Sequence, residues 1–303
     1  MSRYARQEIL PEIGAAGQAR LAAARVLMVG AGGLGSTVLP LLAGAGVGQI
    51  DIVDPDHVEE SNLHRQTLFR MSDLTQPKAE AAAHSLAALN PEGLFIAHVT
   101  RLDPGNAPDL MAQANLIVDA ADSFATSYAL SDLCLTAERP LISASVLARQ
   151  GYVGGFCGGA PSLRAVFPDL PARLGSCSDT GVMGPVVAML GALQAQMALS
   201  VLLGLKPSPL GQLLSLDLAQ WHVSGFRFDG APEPDAVPEI LAPAHIVPED
   251  LVIDLRGRAA ADPHPAPGQR VVFVCTSGLR AWREAKRCAA LGHHRVAIVG
   301  DGQ

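Results

Sequence analysis

Short apolar runs separated by segments with a helical pattern dominate the first half of the chain. The runs predict strands at Val26–Val29, Gln49–Val53, Phe95–Val99, Leu116–Asp119 and Leu141–Ala144. Helices are predicted from Pro77 to Asn90 and from Ala125 to Ala137. Because apolar strands that alternate with helices are typical of a mainly parallel sheet, this part of the chain is predicted to be an α/β domain.

Further along the chain, strands follow one another without intervening crossover helices. An antiparallel extension of the sheet is predicted at Gly151–Phe156, Leu163–Phe167, Leu213–Asp217 and Val223–Phe228. A long apolar helix is predicted between these pairs, from about Met183 to Leu203. The segment is long enough to cross a membrane, but a proline and two glutamines interrupt it and no cationic flank sets an orientation. We therefore expect a buried helix.

A proline-rich segment, Asp229–Ala244, divides the chain. We predict that it is an extended, poorly packed linker between a large domain, residues 1–228, and a small one, residues 245–303. The elements predicted in the small domain are strands at Leu251–Leu255, Val271–Val274 and Val296–Val299 and a helix at Ala281–Leu291. The small domain therefore has an α/β pattern of its own.

The composition suits a soluble, slightly acidic protein. Hydrophobic residues make up 49% of the 303 residues and the net charge is -7, which disfavours nonspecific binding to nucleic acid. The five cysteines are scattered, and the first residues lack the apolar core of a signal peptide. A reducing, cytoplasmic location is the simplest expectation.

Glycines follow the first predicted strand in the spacing G-x-G-x-x-G, at Gly30, Gly32 and Gly35. Such a turn lets backbone N–H groups approach a phosphate at the start of the next helix, whose dipole favours negative charge. Asp54 ends the second predicted strand, where an acidic side chain can bond a ribose hydroxyl. These features predict a Rossmann-like nucleotide-binding fold and alone would favour an NAD-dependent dehydrogenase.

Cationic side chains after the second strand change that interpretation. Arg65 and Lys78 follow Asp54 along the chain, and Arg6 could join them from the amino-terminal arm or from a second subunit. A dinucleotide needs mainly backbone amides, whereas a triphosphate calls for added cations and a carboxylate that holds Mg²⁺. Asp122, after the fourth strand, is the candidate carboxylate. The sequence therefore favours ATP with magnesium.

Five motifs occur in one order along the chain. They are RYARQ at residues 3–7, GAGGLGS at 30–36, DPDHVEESNLHRQ at 54–66, PKAE at 77–80 and CSDTGVMGPVV at 177–187. Together they resemble the ThiF/MoeB/HesA family of ubiquitin-activating-like adenylyltransferases, and most closely its ThiF branch. The resemblance implies a homodimer that uses ATP to adenylylate the C-terminal glycine of a ubiquitin-like sulfur-carrier protein. A ThiS-like carrier for thiamine thiazole biosynthesis is the leading expectation, and a MoaD-like carrier for molybdopterin synthesis is the alternative.

The resemblance also implies roles for individual residues. Arg65, Lys78 and Asp122 match catalytic positions, with Lys78 on the phosphates and Asp122 beside Mg²⁺. The residues expected to hold the nucleotide are these three and Arg6, Gly30, Gly32, Gly33, Asp54, Ser61, Asn62 and Ser123. Arg6 would come from the partner subunit. Ser123 stands where the family usually has asparagine, but serine can still donate a hydrogen bond.

Zinc is not expected, although members of the family commonly hold it with two Cys-x-x-Cys pairs. The place of the first pair reads Ser162-Leu163-Arg164-Ala165 in this chain, and no second pair occurs near the linker. Tetrahedral zinc needs about four thiolate or imidazole ligands. The sequence lacks such a set.

Two cysteines are candidates for sulfur chemistry. Cys177 matches the cysteine that links family members covalently to the activated carrier, although a lone cysteine is more often a small buried hydrophobe. Cys275 begins CTSGLR, which resembles the active loop of a rhodanese-like domain, where backbone N–H groups and Arg280 would stabilise a persulfide anion. The domain is shorter than that family's, so a structural role for Cys275 stays open. The sulfur donor would be a cysteine desulfurase or a rhodanese domain, and Cys288 is expected in the core.

Functions of two other classes stay open from the sequence. One is the dehydrogenase, supported by the glycine turn and Asp54 alone. The other is a noncatalytic protein that binds a ubiquitin-like partner without activating it.

Overall fold

The structure is a computed structural model that describes residues 3–168, 181–235, 237–257 and 263–300. The helices in these ranges are α1 (Ala5–Glu8), α2 (Gly14–Ala23), α3 (Gly35–Gly44), α4 (Lys78–Leu89), α5 (Ala107–Met111), α6 (Phe124–Thr136), α7 (Leu163–Val166), α8 (Gly184–Leu203) and α9 (Leu279–Ala290). The strands are β1 (Arg25–Val29), β2 (Gln49–Val53), β3 (Leu94–His98), β4 (Leu116–Asp119), β5 (Leu141–Leu147), β6 (Gln150–Phe156), β7 (Gln212–Asp217), β8 (His222–Arg227), β9 (Glu239–Ile240), β10 (Leu251–Asp254), β11 (Val271–Cys275) and β12 (Val296–Gly300).

The large sheet combines a parallel and an antiparallel part. Among the described residues its strand order is β3-β2-β1-β4-β5-β6-β7-β8. In this order, the five strands from β3 to β5 run parallel to one another, and the pairs β5-β6, β6-β7 and β7-β8 are antiparallel. The predicted Rossmann-like fold with a mainly parallel sheet and an antiparallel extension is therefore confirmed.

Alternate residues of the central strand β1 face two different apolar layers. Val26 and Met28 join a core with helices α3, α4 and α8, whereas Leu27 and Val29 join a core with α5 and α6. Successive strand residues point to opposite faces, so a continuous apolar run is needed where both faces are covered. The parallel part of the sheet is thus enclosed between helices.

Helix α8 is the apolar helix predicted near Met183–Leu203. It is the one helix in the described residues that is long and apolar enough to span a membrane, and half of its apolar window is buried. It packs against α3 and β5, so its apolar side chains form part of the core.

The predicted strand Leu163–Phe167 is wrong, because this segment begins with helix α7. The Ser162 hydroxyl accepts hydrogen bonds from the Arg164 and Ala165 N–H groups, at 3.1 and 3.3 Å. The Leu163 N–H donates to the Ser131 hydroxyl at 2.9 Å. These side chains cap a helical turn, while β7 takes the place beside β6.

The segment predicted as a poorly packed linker is partly ordered by the small sheet. Its residues Glu239–Ile240 form β9, which pairs in parallel with β12. Leu241 and Ala242 are buried, and Leu241 packs with apolar side chains of β11 and β12 in the four-stranded sheet β10-β11-β12-β9. The prediction of poor packing is therefore wrong for residues 239–242.

Candidate functional site

The glycine turn lies where the carboxyl ends of β1 and β4 meet. Gly30 has a φ of +95°, and a Cβ on this residue would lie 2.5 Å from the Ala120 carbonyl oxygen. Only glycine fits here, because the conformation is strained for other residues and the space is filled by backbone. Asp122 and Ser123 follow two and three residues after Ala120, so they start from the same corner.

Asp54 braces the turn from the end of β2. Its carboxylate oxygens accept hydrogen bonds from the Ala31 N–H at 2.7 Å and the Asp56 N–H at 2.8 Å. Burial raises the pKa of Asp54, while these two hydrogen bonds and the charge of Lys78 act in the opposite direction. The carboxylate thus fixes both loops, and its predicted contact with a ribose hydroxyl stays a prediction.

Arg65 lies directly beside the glycine turn. A Cβ built on Gly33 would be 3.6 Å from Arg65 Cγ and 2.8 Å from Val187 Cγ1. The Arg65 guanidinium donates to Asn62 Oδ1 at 2.7 Å. Gly33 therefore lies between the Arg65 side chain and the first turn of α8. The sequence did not predict its contact with Val187.

Lys78 is held by an acid that the sequence did not single out. Its Nζ lies 2.9 Å from Asp56 Oδ2, and the lysine is buried although it begins helix α4. A lysine near a helix N-terminus is unfavourable unless an anion is close, and Asp56 provides one. The ion pair lies just beyond β2, close enough for Lys78 to act on Asp54.

A polar side chain next to Arg65 also faces the turn. Gln66 is 3% exposed, and its Oε1 has no hydrogen-bond partner in the described part of the chain. Its Nε2 lies 3.7 Å from a Cβ built on Gly32. Sequence reasoning missed Gln66 as a site residue, although its position directly after Arg65 was the available signal.

Ser61 and Asn62 form part of a short 3-10 helix, Glu60–Asn62. Their side chains both donate to Glu59 Oε2 at 3.3 Å. Asn62 also accepts from Arg65, so this turn orients the arginine. Direct contacts of these residues with a nucleotide stay predictions.

Asp122 is exposed at the end of β4, and Ser123 caps the helix that follows. The Ser123 hydroxyl accepts from the Thr126 N–H at 3.4 Å, which leaves its own proton free to donate. Beneath them, the buried Asp119 accepts from Ser143 Oγ at 2.7 Å and from the Ala121 N–H at 3.1 Å. Burial raises the pKa of Asp119. This buried network fixes the turn from which Asp122 projects.

The donor set fits magnesium bound together with phosphates. The described residues contain no cluster of three or more His, Cys, Asp or Glu side chains that could hold a metal alone. Mg²⁺ is usually bound by one or two carboxylates and the phosphates of a substrate. The exposed Asp122 can be such a carboxylate, whereas the absence of zinc stays a prediction.

Arg6 lies far from the glycine turn of its own chain. It is exposed on α1, and its neighbour Gln7 donates to the Ala45 carbonyl oxygen at 3.0 Å. Ala45 follows the last residue of α3, whereas the glycine turn precedes the first. The arm of the same chain therefore does not bring Arg6 to the site, and its entry from a second subunit stays a prediction.

Cys275 lines a cavity in the small domain. A cavity of about 190 Å³ is lined by Arg256, Gly257, Cys275, Thr276, Ser277 and Arg280. The Cys275 sulfur accepts from the Ala281 N–H of α9 at 3.3 Å, and the expected contacts with further N–H groups of the loop stay a prediction. Cys288 is in the core as expected, and burial raises its pKa. Cys177 lies outside the described residues.

Taken together, the site defines an α/β nucleotide-binding domain with cations and a carboxylate at the carboxyl edge of its sheet. The family model for the ThiF family matches residues 4–236. The chain belongs to the ThiF family.

Similar curated proteins come from fungi, animals and bacteria. The chain is 44% identical over 211 residues to the adenylyltransferase and sulfurtransferase Uba4 of Emericella nidulans, covering 66% of this chain and 44% of that protein. It is 44% identical over 218 residues to the adenylyltransferase and sulfurtransferase MOCS3 of Bos taurus, covering 71% and 48%. It therefore spans about half the length of these relatives. For the sulfur carrier protein adenylyltransferase of Thermus thermophilus, identity is 41% and coverage is 72% of this chain and 83% of that protein.

Solved structures agree with this fold. The MccB protein of E. coli, in a complex with AMPCPP and MccA, aligns with a TM-score of 0.67 at 22% identity, covering 76% of this chain and 73% of that one. MccB with ATP aligns with a TM-score of 0.66 at 22% identity, covering 75% and 72%. At this identity the likeness shows the fold alone.

Proposed function

We propose that this protein is an ATP-dependent adenylyltransferase that acts on the C-terminal glycine of a ubiquitin-like sulfur-carrier protein. The observation that carries the proposal is the close approach of the Arg65 stem to the glycine turn, since a Cβ built on Gly33 would lie 3.6 Å from Arg65 Cγ. A cationic side chain that starts beside such a turn supports phosphate binding there. The names of the Uba4, MOCS3 and Thermus thermophilus relatives support it. Family membership favours adenylylation over the dehydrogenase alternative.

The proposed reaction joins two anions, which explains the need for cations. The carrier carboxylate attacks the α-phosphorus of ATP, the bond to pyrophosphate breaks, and an acyl adenylate forms. The carboxylate is already ionised at neutral pH, so no general base is required. Arg65 and Lys78 would screen the approach and neutralise the departing pyrophosphate, with Arg6 added by a partner subunit. A magnesium ion held at Asp122 would supply further positive charge to the phosphates.

The experiment is pyrophosphate exchange into ATP with purified carriers that end in Gly-Gly. We expect exchange only when a carrier is present, with a ThiS-like carrier as the first choice and a MoaD-like carrier as the alternative. Arg65→Ala and Asp122→Asn should lower the rate by at least about 10²-fold. Exposed residues on other elements give the matched controls Arg20→Ala and Asp109→Asn.

The contrary outcomes of this experiment distinguish the alternative functions. Exchange that fails with every plausible carrier defeats the proposal. Carrier binding without exchange would indicate the noncatalytic binder, and preference for NAD over ATP would indicate the dehydrogenase.

We further propose that Cys275 accepts sulfur as a persulfide. The cavity beside its sulfur suits an anion, because Arg280 lines it and the Ala281 N–H donates to the sulfur. Arg256 also lines the cavity, and an ion pair of 2.7 Å with Asp254 orients it. Cys275→Ala should spare pyrophosphate exchange and stop formation of the carrier thiocarboxylate. Cys177→Ala should give the same pattern if Cys177 forms the covalent link to the carrier. An unchanged thiocarboxylate yield removes the cysteine concerned from the mechanism.

A further inference from the structure

Helix α6 is shared by the two sheets. The small sheet β9–β12 and helix α9 are called the small unit here. One apolar core contains Ala125 and Tyr128 from α6, Ile117 from β4, and Phe273 and Trp282 from the small unit. The Phe124 and Trp282 rings lie edge to face, with centroids 5.8 Å apart. Domains move relative to each other by default unless their interface is large and hydrophobic. The small unit therefore sits on α6 as part of a continuous core.

The first turn of α6 contacts the Cys275 loop directly. The Ala125 N–H donates to the Ser277 carbonyl oxygen at 3.3 Å, which satisfies an amide that the helix itself leaves unpaired. Ala125 also packs directly against two glycines of the small unit. A Cβ built on Gly278 or Gly300 would lie 2.8 or 2.6 Å from the Ala125 Cβ. No side chain fits between these backbones without displacing one of them.

A buried arginine adds a second contact farther along α6. Arg164 is bound by Asp132 through two hydrogen bonds of 2.6 and 2.7 Å. Its guanidinium carbon lies 5.1 Å from the Tyr128 ring centroid and 4.9 Å from the Trp282 ring centroid. The guanidinium therefore contacts one aromatic ring of the large domain and one of the small domain, and lysine lacks the planar group that makes both contacts.

These contacts put the two candidate sites on one helix end. Ser277 lines the Cys275 cavity, and its carbonyl oxygen accepts a hydrogen bond from the Ala125 N–H. Asp122, the candidate magnesium ligand, precedes Ala125 by only three residues. The adenylylation edge and the cysteine cavity are therefore neighbours within one chain.

We propose that the small unit delivers sulfur from this docked position, and that Arg164 and the glycine contacts with Ala125 are its positioning devices. The outer sulfur of the Cys275 persulfide attacks the carbonyl carbon of the carrier acyl adenylate, and the bond to AMP breaks. A small thiol such as glutathione then attacks the Cys275 sulfur of the resulting acyl disulfide, which releases the carrier thiocarboxylate and leaves a mixed disulfide on Cys275 that a second thiol reduces. The proposal rests on the proposed function and adds that the Cys275 unit stays docked on α6 while it works. Docking lets a carrier terminus activated beside Asp122 be reached by the Cys275 loop of the same chain without a domain swing.

The test opens the interface and measures three activities on the full-length protein. Gly300→Ala inserts a methyl group against Ala125, whereas Gly230→Ala is the matched control because a Cβ there has nothing within 4 Å. Trp282→Leu removes the aromatic face that covers Arg164. The readouts are carrier-dependent pyrophosphate exchange, the mass gain of one sulfur atom on Cys275 after exposure to glutathione persulfide, and carrier thiocarboxylate formed in a single turnover.

We expect exchange and sulfur loading to stay within about 2-fold of wild type in both variants, while thiocarboxylate formation falls by at least about 10-fold. Gly230→Ala should leave all three unchanged. Unchanged thiocarboxylate formation in both variants, with faster hydrogen exchange at α6 to show that the interface is open, overturns the proposal. A parallel loss of sulfur loading also overturns it, because the defect is then local to the cavity. Absent exchange in the wild-type protein instead defeats the proposed function.

Discussion

Lys78 Nζ lies 2.9 Å from Asp56 Oδ2, with the lysine side chain 7% exposed and the aspartate side chain 56% exposed. The cation is thus fixed in a sheltered position while its partner acid faces solvent. A phosphate that approaches this edge would meet a lysine that is already oriented and has little conformational entropy left to lose.

Replacing Lys78 tests whether this cation acts on the phosphates. We expect Lys78→Met to lower kcat/KM for adenylylation by about 10²–10³-fold, or about 3–4 kcal/mol, because a group preorganised for developing charge is lost. Lys286→Met, on the exposed face of α9, is the matched control. Equal kinetics of the two variants would remove Lys78 from the reaction.

Gly33→Ala tests the close approach at the glycine turn. The new methyl group would lie 2.8 Å from Val187 Cγ1, so either the turn or the first turn of α8 must shift. We expect ATP affinity to fall by about 10-fold or more while the protein stays folded, measured by isothermal titration and thermal unfolding. The double variant Gly33→Ala/Val187→Ala should recover part of the affinity.

The control for this pair is Gly44, the last residue of α3, the helix that follows the glycine turn. Gly44→Ala adds a methyl group with nothing within 4 Å, so affinity should not change. A normal ATP affinity in Gly33→Ala would contradict the proposed role of the turn.

Mixing two inactive variants tests whether Arg6 acts across a subunit interface. Arg6→Ala should lower adenylylation strongly, because we expect the arginine of each subunit to act in the site of its partner. Within its own chain this exposed residue lies near the end of α3 that is away from the glycine turn. After mixing and subunit exchange with Lys78→Met, hybrid dimers contain one intact site. We expect activity to recover to roughly a quarter of wild type by random pairing. No recovery, despite subunit exchange shown by mass spectrometry, would count against a shared site.

The pH dependence of stability is expected to include a contribution from Asp250. This carboxylate accepts from Arg270 Nε at 2.9 Å and Nη2 at 2.7 Å, and the arginine lowers its pKa. Because the folded pKa lies below the unfolded value of about 3.9, the stabilisation is present above that value and is lost as pH falls through the folded pKa. Asp250→Asn should lower the free energy of unfolding by about 2 kcal/mol near pH 7, and by progressively less as pH falls below about 3.9.

Urea unfolding of both proteins across this range measures the effect. Asp109→Asn, an exposed acid on α5, should show no such pH-dependent difference. A difference between wild type and Asp250→Asn that stays constant with pH would contradict an ionic origin.

The parallel sheet was predictable because its signals are local. The bounds predicted for Gln49–Val53 and Leu116–Asp119 are correct, since isoleucine, leucine and valine dominate both segments and an aspartate marks the carboxyl end of each, at Asp54 and Asp119. The helical turn at Leu163 was not predictable from an apolar pattern. It depends on the hydroxyls of Ser131 and Ser162, which accept hydrogen bonds from the first backbone N–H groups of the turn.

The candidate site divides in the same way. Motif order predicts Arg65 and Lys78 as site residues, but the segment from Asp54 to Glu60 contains four acids, any of which could pair with the lysine by sequence. Burial and geometry select Asp56. Arg164 and Trp282 are in contact although they lie more than one hundred positions apart. Neither the charge pattern nor the hydrophobic periodicity of the sequence predicts this contact.

The apolar core that includes α6 and the small sheet has a consequence for thermodynamic cooperativity. Residues from before and after the proline-rich segment lose water together when this core forms. A boundary visible in composition is therefore not a boundary in folding, and calorimetry should record one heat-absorption peak. A fragment cut at Asp229 would expose Ala125 and Tyr128 to solvent and should aggregate rather than behave as an independent enzyme.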